Sequence, residues 1–239
     1  EFLFSFSMLV EGKVIIVTGA SMGIGLAVSR LLAASKAKVV LAARSADKLT
    51  ELQKEIPDSH FIVTDMCKSS DVDRMIEETR EKYGRIDVLI NNAGRGYQQT
   101  NIADIDMTTY REIMELNLFS VLHAMQKVIP IMKSQTEGGM ILNISSVVSK
   151  NYIPRVGAYA STKYALNALS LTARQELADD GIIVSVFHPK MTATEFGMNN
   201  AGKKYRSADG KPGLPLDTAE DVAAAILGQI KSEEAELTM

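Results

Sequence analysis

The chain has 239 residues, of which 46% are hydrophobic, and this is enough to bury the core of one α/β domain of ordinary size. The formal net charge is −3, with charges of both signs spread along the chain, so no nucleic-acid-binding surface is predicted. The single cysteine, Cys67, excludes an internal disulfide and favours a reducing, cytoplasmic setting. The histidines lie far apart and lack metal-ligand spacing, so we predict no metal site.

Residues 1–7 are mostly apolar and precede Met8. We expect them to be a remnant of cloning or an upstream segment, with a trimmed membrane anchor as the alternative. The segment is too short to span a bilayer and lacks the basic leader of a signal peptide. No stable membrane span is therefore expected in this chain, and residues 8–239 are predicted to form a single domain.

The first predicted strand is the β-branched run Val14–Thr18, which a glycine-rich loop follows at once. The loop reads G-x-x-x-G-x-G, with its glycines at 19, 23 and 25, and residues 26–34 are helical in pattern. Glycines let a backbone approach a pyrophosphate closely, and a helix N-terminus offers it free N–H groups. This stretch predicts a dinucleotide site, with a glycine-rich turn that binds nothing as the alternative.

Strands and helices alternate along the rest of the chain. Further strands are predicted over residues 38–42, 61–64, 86–90, 139–144 and 182–187, and further helices over 70–83, 108–133, 157–178 and 217–230. This alternation is typical of a Rossmann-type, doubly wound and mainly parallel sheet of about seven strands, with helices on both faces. Ligands of such sheets bind at the carboxyl ends of the strands. Residues 195–216, rich in glycine, proline and polar side chains, are predicted to form a substrate loop.

The end of the second strand indicates which dinucleotide binds. An NAD site usually places an acid there for the ribose hydroxyls, but this chain has Ala43, Arg44 and Ser45. The planar guanidinium of Arg44 suits a 2′-phosphate, and Ser45 adds a hydroxyl. We therefore predict NADP(H), with a solvated surface arginine as the alternative.

Tyr159 and Lys163 lie four positions apart in a predicted helix, so their side chains share one face. A nearby ammonium favours phenolate, which predicts a tyrosine pKa lowered toward working pH and a phenol able to act as acid or base. Ser146 follows the strand over residues 139–144, where a ligand is expected. An ordinary helix face is the alternative. The helix over 157–178 is also apolar on more than one face, which predicts a homodimer or homotetramer.

Taken in order, the motifs resemble those of the short-chain dehydrogenase/reductase family over about residues 11–231. They are Thr18-Gly19-x-x-x-Gly23-x-Gly25, Asp65, Asn91-Asn92-Ala93-Gly94, Asn117, Ser146, Tyr159-x-x-x-Lys163, and Pro189 with Thr194. The resemblance implies a single catalytic domain that interconverts a carbonyl and an alcohol by hydride transfer to or from NADP(H).

The resemblance also implies roles for the catalytic residues. Tyr159 would exchange a proton with the substrate oxygen, and Ser146 rather than Ser145 would hydrogen-bond that oxygen. Lys163 would bind the nicotinamide ribose, and Asn117 would hold a water that connects Lys163 to solvent. The expected cofactor-binding residues are Gly19, Ser21, Gly23, Ile24, Gly25, Arg44, Ser45, Asp65, Met66, Asn91, Ala93, Gly94, Tyr159, Lys163, Pro189, Thr192 and Thr194.

Two features depart from the family pattern. Lys190 stands where a glycine commonly follows the proline, and the seventh strand is expected to be short, altered or missing. The substrate class stays open. The candidate pocket residues are Arg95, Tyr97, Val148, Tyr152, Arg155 and Lys190, and their cations either favour an anionic substrate or are solvated. A cofactor-binding sensor or scaffold without turnover is the alternative function, and a structural oligomer subunit is a further one.

Overall fold

A computed structural model describes residues 9–56, 58–194 and 216–239. Residues 1–7 and all but the last residue of the predicted substrate loop lie outside the described residues. The expectations for both segments therefore stay predictions.

The core of the fold is one parallel sheet of seven strands in the order β3-β2-β1-β4-β5-β6-β7. The strands are β1 Val14–Thr18, β2 Lys38–Ala43, β3 His60–Val63, β4 Val88–Asn91, β5 Gly139–Ile144, β6 Ile182–His188 and β7 Glu236–Thr238. β1, β4 and β5 are buried at every position, because helices cover both faces. The predicted fold class is confirmed, and the seventh strand is present with three residues.

Seven α-helices connect or follow these strands in the described residues. They are α1 Gly23–Ala34, α2 Ala46–Glu55, α3 Ser69–Tyr83, α4 Met107–Met114, α5 Ser120–Lys133, α6 Gly157–Glu176 and α7 Ala219–Ser232. Apolar residues of α1, α2 and α7 pack on one sheet face, and those of α3, α5 and α6 pack on the other. None of the helices in the described ranges is long and apolar enough to cross a membrane.

Two helical predictions need correction. α2 was not among the predicted elements, although only Leu49 and Leu52 of its ten residues are buried, so its apolar signal is weak. The single helix predicted over residues 108–133 is interrupted by a π-helical turn at Glu115–Phe119. That turn carries Asn117, and such π turns occur often at functional sites.

The strand order places the predicted ligand residues at one edge. The sheet reverses its winding between β1 and β4, because β2 and β3 lie on one side of this pair and β5 to β7 on the other. A crevice at the carboxyl ends of the strands is the usual binding site at such a switch point. Gly19, Asn91, Ser146 and Pro189 all lie at or just beyond these strand ends.

Candidate active site

The glycines of the loop between β1 and α1 lie where the backbone is packed too closely for a side chain. Gly19 has φ +66°, and a Cβ on Gly25 would lie 2.2 Å from the Gly19 carbonyl oxygen. The N-cap residue of α1, Met22, makes no side-chain capping bond, and the first turn carries no acid. The N–H groups of this turn are therefore suited to an anionic ligand such as a pyrophosphate. Ser21 and Ile24, predicted in the same loop, are both half-buried.

Thr18 and Asn92 fasten this loop to the segment after β4. The Asn92 amide donates from Nδ2 to the Thr18 carbonyl at 2.9 Å. The Thr18 hydroxyl accepts from the backbone N–H groups of Asn92 and Ala93, at 3.0 Å each. Neither Thr18 nor Asn92 was assigned a site role from the sequence, although both stood in the quoted motifs. In the structure they join the glycine loop to the segment after β4.

Asn91, predicted to support β4, has its side chain inside the sheet. Its Nδ2 donates to Oδ1 of Asn143 at 2.8 Å, and Asn143 donates in turn to Ser170 of α6 at 2.8 Å. All three side chains are buried. This polar ladder ties β4 to β5 and α6 beneath the site, which explains why an amide occurs at a strand end that is otherwise apolar.

Pro189, Thr192 and Thr194 belong to the segment after β6. The Pro189 carbonyl accepts from the backbone N–H of Val147 at 3.2 Å, and Thr192 forms an isolated bridge with Asp217. A Cβ on Gly23 would lie 3.2 Å from Cβ of Thr194. The structure therefore brings this segment against the glycine loop, as expected of residues that share a cofactor.

The end of β2 presents a cation at the same edge. Arg44 is exposed and makes no ion pair within the described residues, while Ser45 is the N-cap residue of α2 and makes no side-chain capping bond. The Asp65 carboxylate accepts from the backbone N–H of Cys67 at 3.1 Å, and Met66 is buried. The Arg44 guanidinium and the Ser45 hydroxyl, at the end of β2, therefore remain available to a ligand.

Tyr159, Ser146 and Lys163 meet at the carboxyl end of β5. The Ser146 side chain hydrogen-bonds to that of Tyr159. Lys163 is buried, donates from Nζ to the Ile144 carbonyl at 2.9 Å, and lies 6.0 Å from the Tyr159 ring centroid. The helical spacing correctly placed the tyrosine and the lysine on one face. The three side chains form a compact polar group at this strand end.

The predicted direction of the tyrosine pKa is wrong in this structure. Burial raises the pKa of Tyr159 to about 12, although the hydrogen bond from Ser146 acts in the opposite direction. Burial also lowers the pKa of Lys163 to about 8. The ammonium is directed to a backbone carbonyl, so loss of hydration outweighs its attraction for a phenolate. Sequence spacing does not reveal burial, and the error follows from that.

Ser145 and Ser146 point to opposite sides, as the strand geometry predicts. The Ser145 hydroxyl donates to Oδ1 of Asn167 on α6 at 2.6 Å and is buried. The Ser146 hydroxyl accepts from the backbone N–H of Val148 at 3.3 Å and is partly exposed. Ser145 therefore holds the helix in place, and Ser146 is the serine that faces Tyr159.

Asn117 is a clamp between three segments. Its Nδ2 donates to the Arg95 carbonyl at 2.8 Å and to the Thr162 hydroxyl at 3.2 Å, while its Oδ1 accepts from the Arg95 N–H at 2.9 Å. A Cβ on Gly94 would lie 3.2 Å from this Oδ1 and 3.8 Å from Nζ of Lys163. Both Nδ2 hydrogens are thus used, and Oδ1 has accepted one hydrogen bond of the two that an amide oxygen can accept. Thr162 was missed by the sequence analysis.

The short chain dehydrogenase family model matches residues 13–204 of the chain. The chain belongs to this family. It is 35% identical over 193 residues to an uncharacterised oxidoreductase of Staphylococcus saprophyticus, covering 78% of this chain and 76% of that one. It is 31% identical over 233 residues to dehydrogenase/reductase SDR family member 7B of Danio rerio, covering 91% and 75%.

Solved structures of family members have the same fold. A 3-ketoacyl-(acyl-carrier-protein) reductase from Brucella melitensis, complexed with NADH, superposes with a TM-score of 0.88 at 27% identity. That match covers 96% of this chain and 97% of the reductase. An alcohol dehydrogenase from Thermococcus sibiricus, complexed with 5-hydroxy-NADP, gives a TM-score of 0.82 at 29% identity, covering 96% of each chain. The protein is therefore a short-chain dehydrogenase/reductase, an oxidoreductase acting on small molecules.

The candidate pocket residues of this short-chain dehydrogenase have different roles. Arg95 pairs with Glu112 at 2.9 Å, so its charge is partly satisfied by the protein itself. Tyr97 accepts at its hydroxyl from the Asp106 N–H at 2.9 Å and thereby fixes the loop before α4. Tyr152 is 94% exposed, and its ring stacks on that of Tyr164 with centroids 5.8 Å apart.

The other three candidates divide between the site and the surface. Val148 is half-buried beside Ser146, whereas Arg155 and Lys190 are exposed. An exposed lysine lies where the family commonly has a glycine, so its charge is accessible to a ligand or to solvent. Of the three cations in the candidate pocket, Arg95 is paired with Glu112, and Arg155 and Lys190 are exposed. They therefore support an anionic substrate only weakly.

Proposed function

We propose that this short-chain dehydrogenase is an NADP(H)-dependent oxidoreductase that interconverts a carbonyl and an alcohol, with Tyr159 as the general acid/base. One observation carries the proposal. The Tyr159 phenol is hydrogen-bonded to Ser146 and lies beside the buried Lys163, at the strand ends that face the glycine loop. A protein that only binds a dinucleotide does not need this proton-transfer group.

The glycine loop supports a nicotinamide dinucleotide as the cofactor. Cβ atoms at Gly19 and Gly25 would meet neighbouring backbone or the Asn92 amide at 3.0 Å or less, so the glycines permit a tight turn into α1, whose N-terminal N–H groups suit a pyrophosphate. Asp65 and Met66 are proposed for the adenine side. Gly94, Lys163 and Thr194 are proposed for the nicotinamide side. When bound, the nicotinamide supplies or accepts the hydride.

Tyr159 is proposed to give its proton to the carbonyl oxygen during reduction. With a pKa of about 12 the phenol keeps this proton at neutral pH, so the unliganded site is ready to act as an acid. The Ser146 hydroxyl oxygen already accepts a hydrogen bond from the Val148 N–H. Its own hydrogen would therefore be donated to the substrate oxygen and stabilise it. In the reverse direction the phenolate would accept the alcohol proton.

Arg44 and Ser45 are proposed to give a preference for NADP(H) over NAD(H). The guanidinium is exposed and has no acidic partner in the described residues, and the Ser45 hydroxyl is not used to cap α2. Two donors at the end of β2 suit a 2′-phosphate, for which a carboxylate at Ala43 would be repulsive. Relatives of this fold bind either type, since one neighbour was solved with NADH and another with 5-hydroxy-NADP.

The direct test is hydride transfer. The purified protein is mixed with NADPH deuterated at the nicotinamide C4 and with a panel of ketones and aldehydes, and the products are analysed by mass spectrometry and NMR. We expect oxidation of NADPH and deuterium on the carbinol carbon of at least one product. Tight NADPH binding without turnover of any panel member, under conditions where a known family reductase reacts, would instead favour a sensor or scaffold.

A further inference from the structure

A buried histidine connects the last strand to the serine of the site. His188 ends β6, and its side chain is fully buried. Its Nε2 lies 3.0 Å from Oε1 of Glu236 on β7. Its Nδ1 lies 3.3 Å from the Ser149 hydroxyl and 3.4 Å from the Ser146 carbonyl oxygen. The ring therefore lies between the edge of the sheet and the turn that begins at Ser146.

That turn, the 3-10 helix Val147–Lys150, contains the buried Ser149. The Ser149 backbone N–H donates to the Ser146 carbonyl at 3.0 Å, and its hydroxyl donates to the same oxygen at 2.6 Å. Nδ2 of Asn167 on α6 donates to the Ser149 hydroxyl at 3.0 Å. The orientation of the Ser146 carbonyl, and with it the Ser146 side chain, thus depends on how Ser149 is fixed.

The protonation of His188 follows from its partners. The Glu236 carboxylate only accepts, so Nε2 carries a hydrogen, and burial lowers the pKa of His188 so that the ring is neutral near pH 7. Nδ1 is then an acceptor, and the hydrogen that the Ser149 hydroxyl donates to the Ser146 carbonyl at 2.6 Å is shared with Nδ1, which lies 3.3 Å from that hydroxyl.

The charges around the ring favour one orientation. Glu236 Oε1 also accepts from Nζ of Lys150 at 2.5 Å, so the carboxylate is held from two sides. This bond to Lys150 is the main reason that the pKa of Glu236 is lowered. An ionised, fixed carboxylate keeps the imidazole in the Nε2–H form, which leaves Nδ1 directed to the turn.

We propose that His188 is a positioning residue for Ser146: anchored by Glu236, the ring fixes the turn after β5 so that the Ser146 hydroxyl meets Tyr159. The inference rests on the proposed function, because it gives that site a support that lies outside the motifs. It also assigns a role to β7, which brings Glu236 to the ring by pairing with β6.

Two amide variants separate positioning from simple filling of space. His188→Asn places an amide near the position of Nδ1, and His188→Gln places one near the position of Nε2. We expect kcat to fall about tenfold in His188→Gln, which loses the contact with the turn, and about threefold in His188→Asn, which keeps that contact and loses only the bond to Glu236. The KM for NADPH should change less than about twofold in both variants, since the glycine loop is not in contact with the ring.

Equal losses of kcat in the two variants, a larger loss in His188→Asn, or wild-type kcat in both would overturn the proposal. If the His188 variants do not fold, the partly exposed Glu236 gives the same test. Glu236→Ala removes the acceptor of the Nε2 hydrogen and is expected to lower kcat about threefold or more. Glu236→Gln keeps an acceptor and is expected to restore kcat to within about twofold. Equal kcat in these two variants would contradict the anchoring role.

Hydrogen exchange tests the turn without any substrate. Amides in the peptide covering residues 145–152 are expected to exchange faster in His188→Gln than in His188→Asn at matched thermal stability, because the turn opens more readily. Equal exchange would overturn the inference. This measurement also separates the two claims. If wild type turns over no carbonyl but the exchange difference is seen, the proposed function fails and the positioning of the turn stands.

Discussion

Replacing Gly25 with alanine is expected to damage the nucleotide loop. The added Cβ would lie 2.2 Å from the Gly19 carbonyl oxygen and 2.5 Å from Nδ2 of Asn92. An ordinary van der Waals separation is about 3.5 Å, so the Gly19 peptide has to move by about 1 Å. Neither obstacle can yield freely, because one is backbone and the other is fastened to Thr18.

The expected size of the effect follows from this contact. Overpacking in a well-packed region costs about 1–3 kcal/mol, and each kcal/mol lowers Tm by about 2–4 °C in a chain of this size. We therefore expect Tm to fall by about 2–12 °C in Gly25→Ala. A displaced loop also loses at least one hydrogen bond to a charged phosphate, which corresponds to NADPH binding weaker by about ten- to a hundredfold.

Gly228→Ala is the matched control. Gly228 also lies within a helix, α7, but a Cβ there would have no neighbour within 4 Å. Alanine in an exposed helix interior is more stable than glycine by about 0.5–1 kcal/mol, so Tm should rise by about 1–4 °C and the Kd for NADPH should not change. Scanning calorimetry and fluorescence titration measure both quantities. An unchanged Tm and Kd in Gly25→Ala would refute the geometry of the loop.

Three further predictions concern the cofactor, the proton and the assembly. Arg44→Ala should weaken NADPH binding by about ten- to a hundredfold and leave NADH binding nearly unchanged; equal losses in calorimetric titrations would remove the 2′-phosphate assignment. Burial raises the pKa of Tyr159 to about 12 and lowers that of Lys163 to about 8, so the rate of carbonyl reduction should stay level from about pH 5 to 7, below both values, and alcohol oxidation, which needs the phenolate, should rise with pH; a reduction rate that falls between about pH 5 and 7 would contradict this. We expect a homodimer or homotetramer because α6 is apolar on more than one face, and a monomer in light scattering at micromolar concentration would show that expectation to be wrong.

The sheet could be predicted from the sequence because parallel strands covered on both faces are continuous apolar runs. Val14–Thr18 is buried throughout, and its end coincides with the start of the glycine loop. Because ligands of such sheets bind at the carboxyl ends of the strands, residues far apart in sequence, such as Gly19 and Ser146, could be assigned to one site. Helix α2 was not predicted because it buries only two leucines in an otherwise polar and charged segment.

The parts of the site that depend on burial and long-range contacts could not be predicted. The pKa of Tyr159 rises because the phenol is desolvated, a quantity that spacing to Lys163 does not contain. The π-helical turn contains Asn117, whose side chain hydrogen-bonds to Arg95 and to α6. These partners are close only in the folded protein, so the turn could not be predicted from the local sequence. The bond between His188 and Glu236 joins residues 48 positions apart through a three-residue strand.

The measurement that tests the central claim most directly compares Tyr159→Phe with Tyr164→Phe on a carbonyl that wild type reduces. Both variants remove one phenol oxygen from the same helix, but Tyr164 stacks on Tyr152 outside the proton-transfer group. We predict that Tyr159→Phe lowers kcat by about 10²–10⁴-fold and leaves the Kd for NADPH nearly unchanged, whereas Tyr164→Phe keeps kcat near the wild-type value. A Tyr159→Phe variant with near-normal kcat would contradict the assignment of Tyr159 as the acid/base.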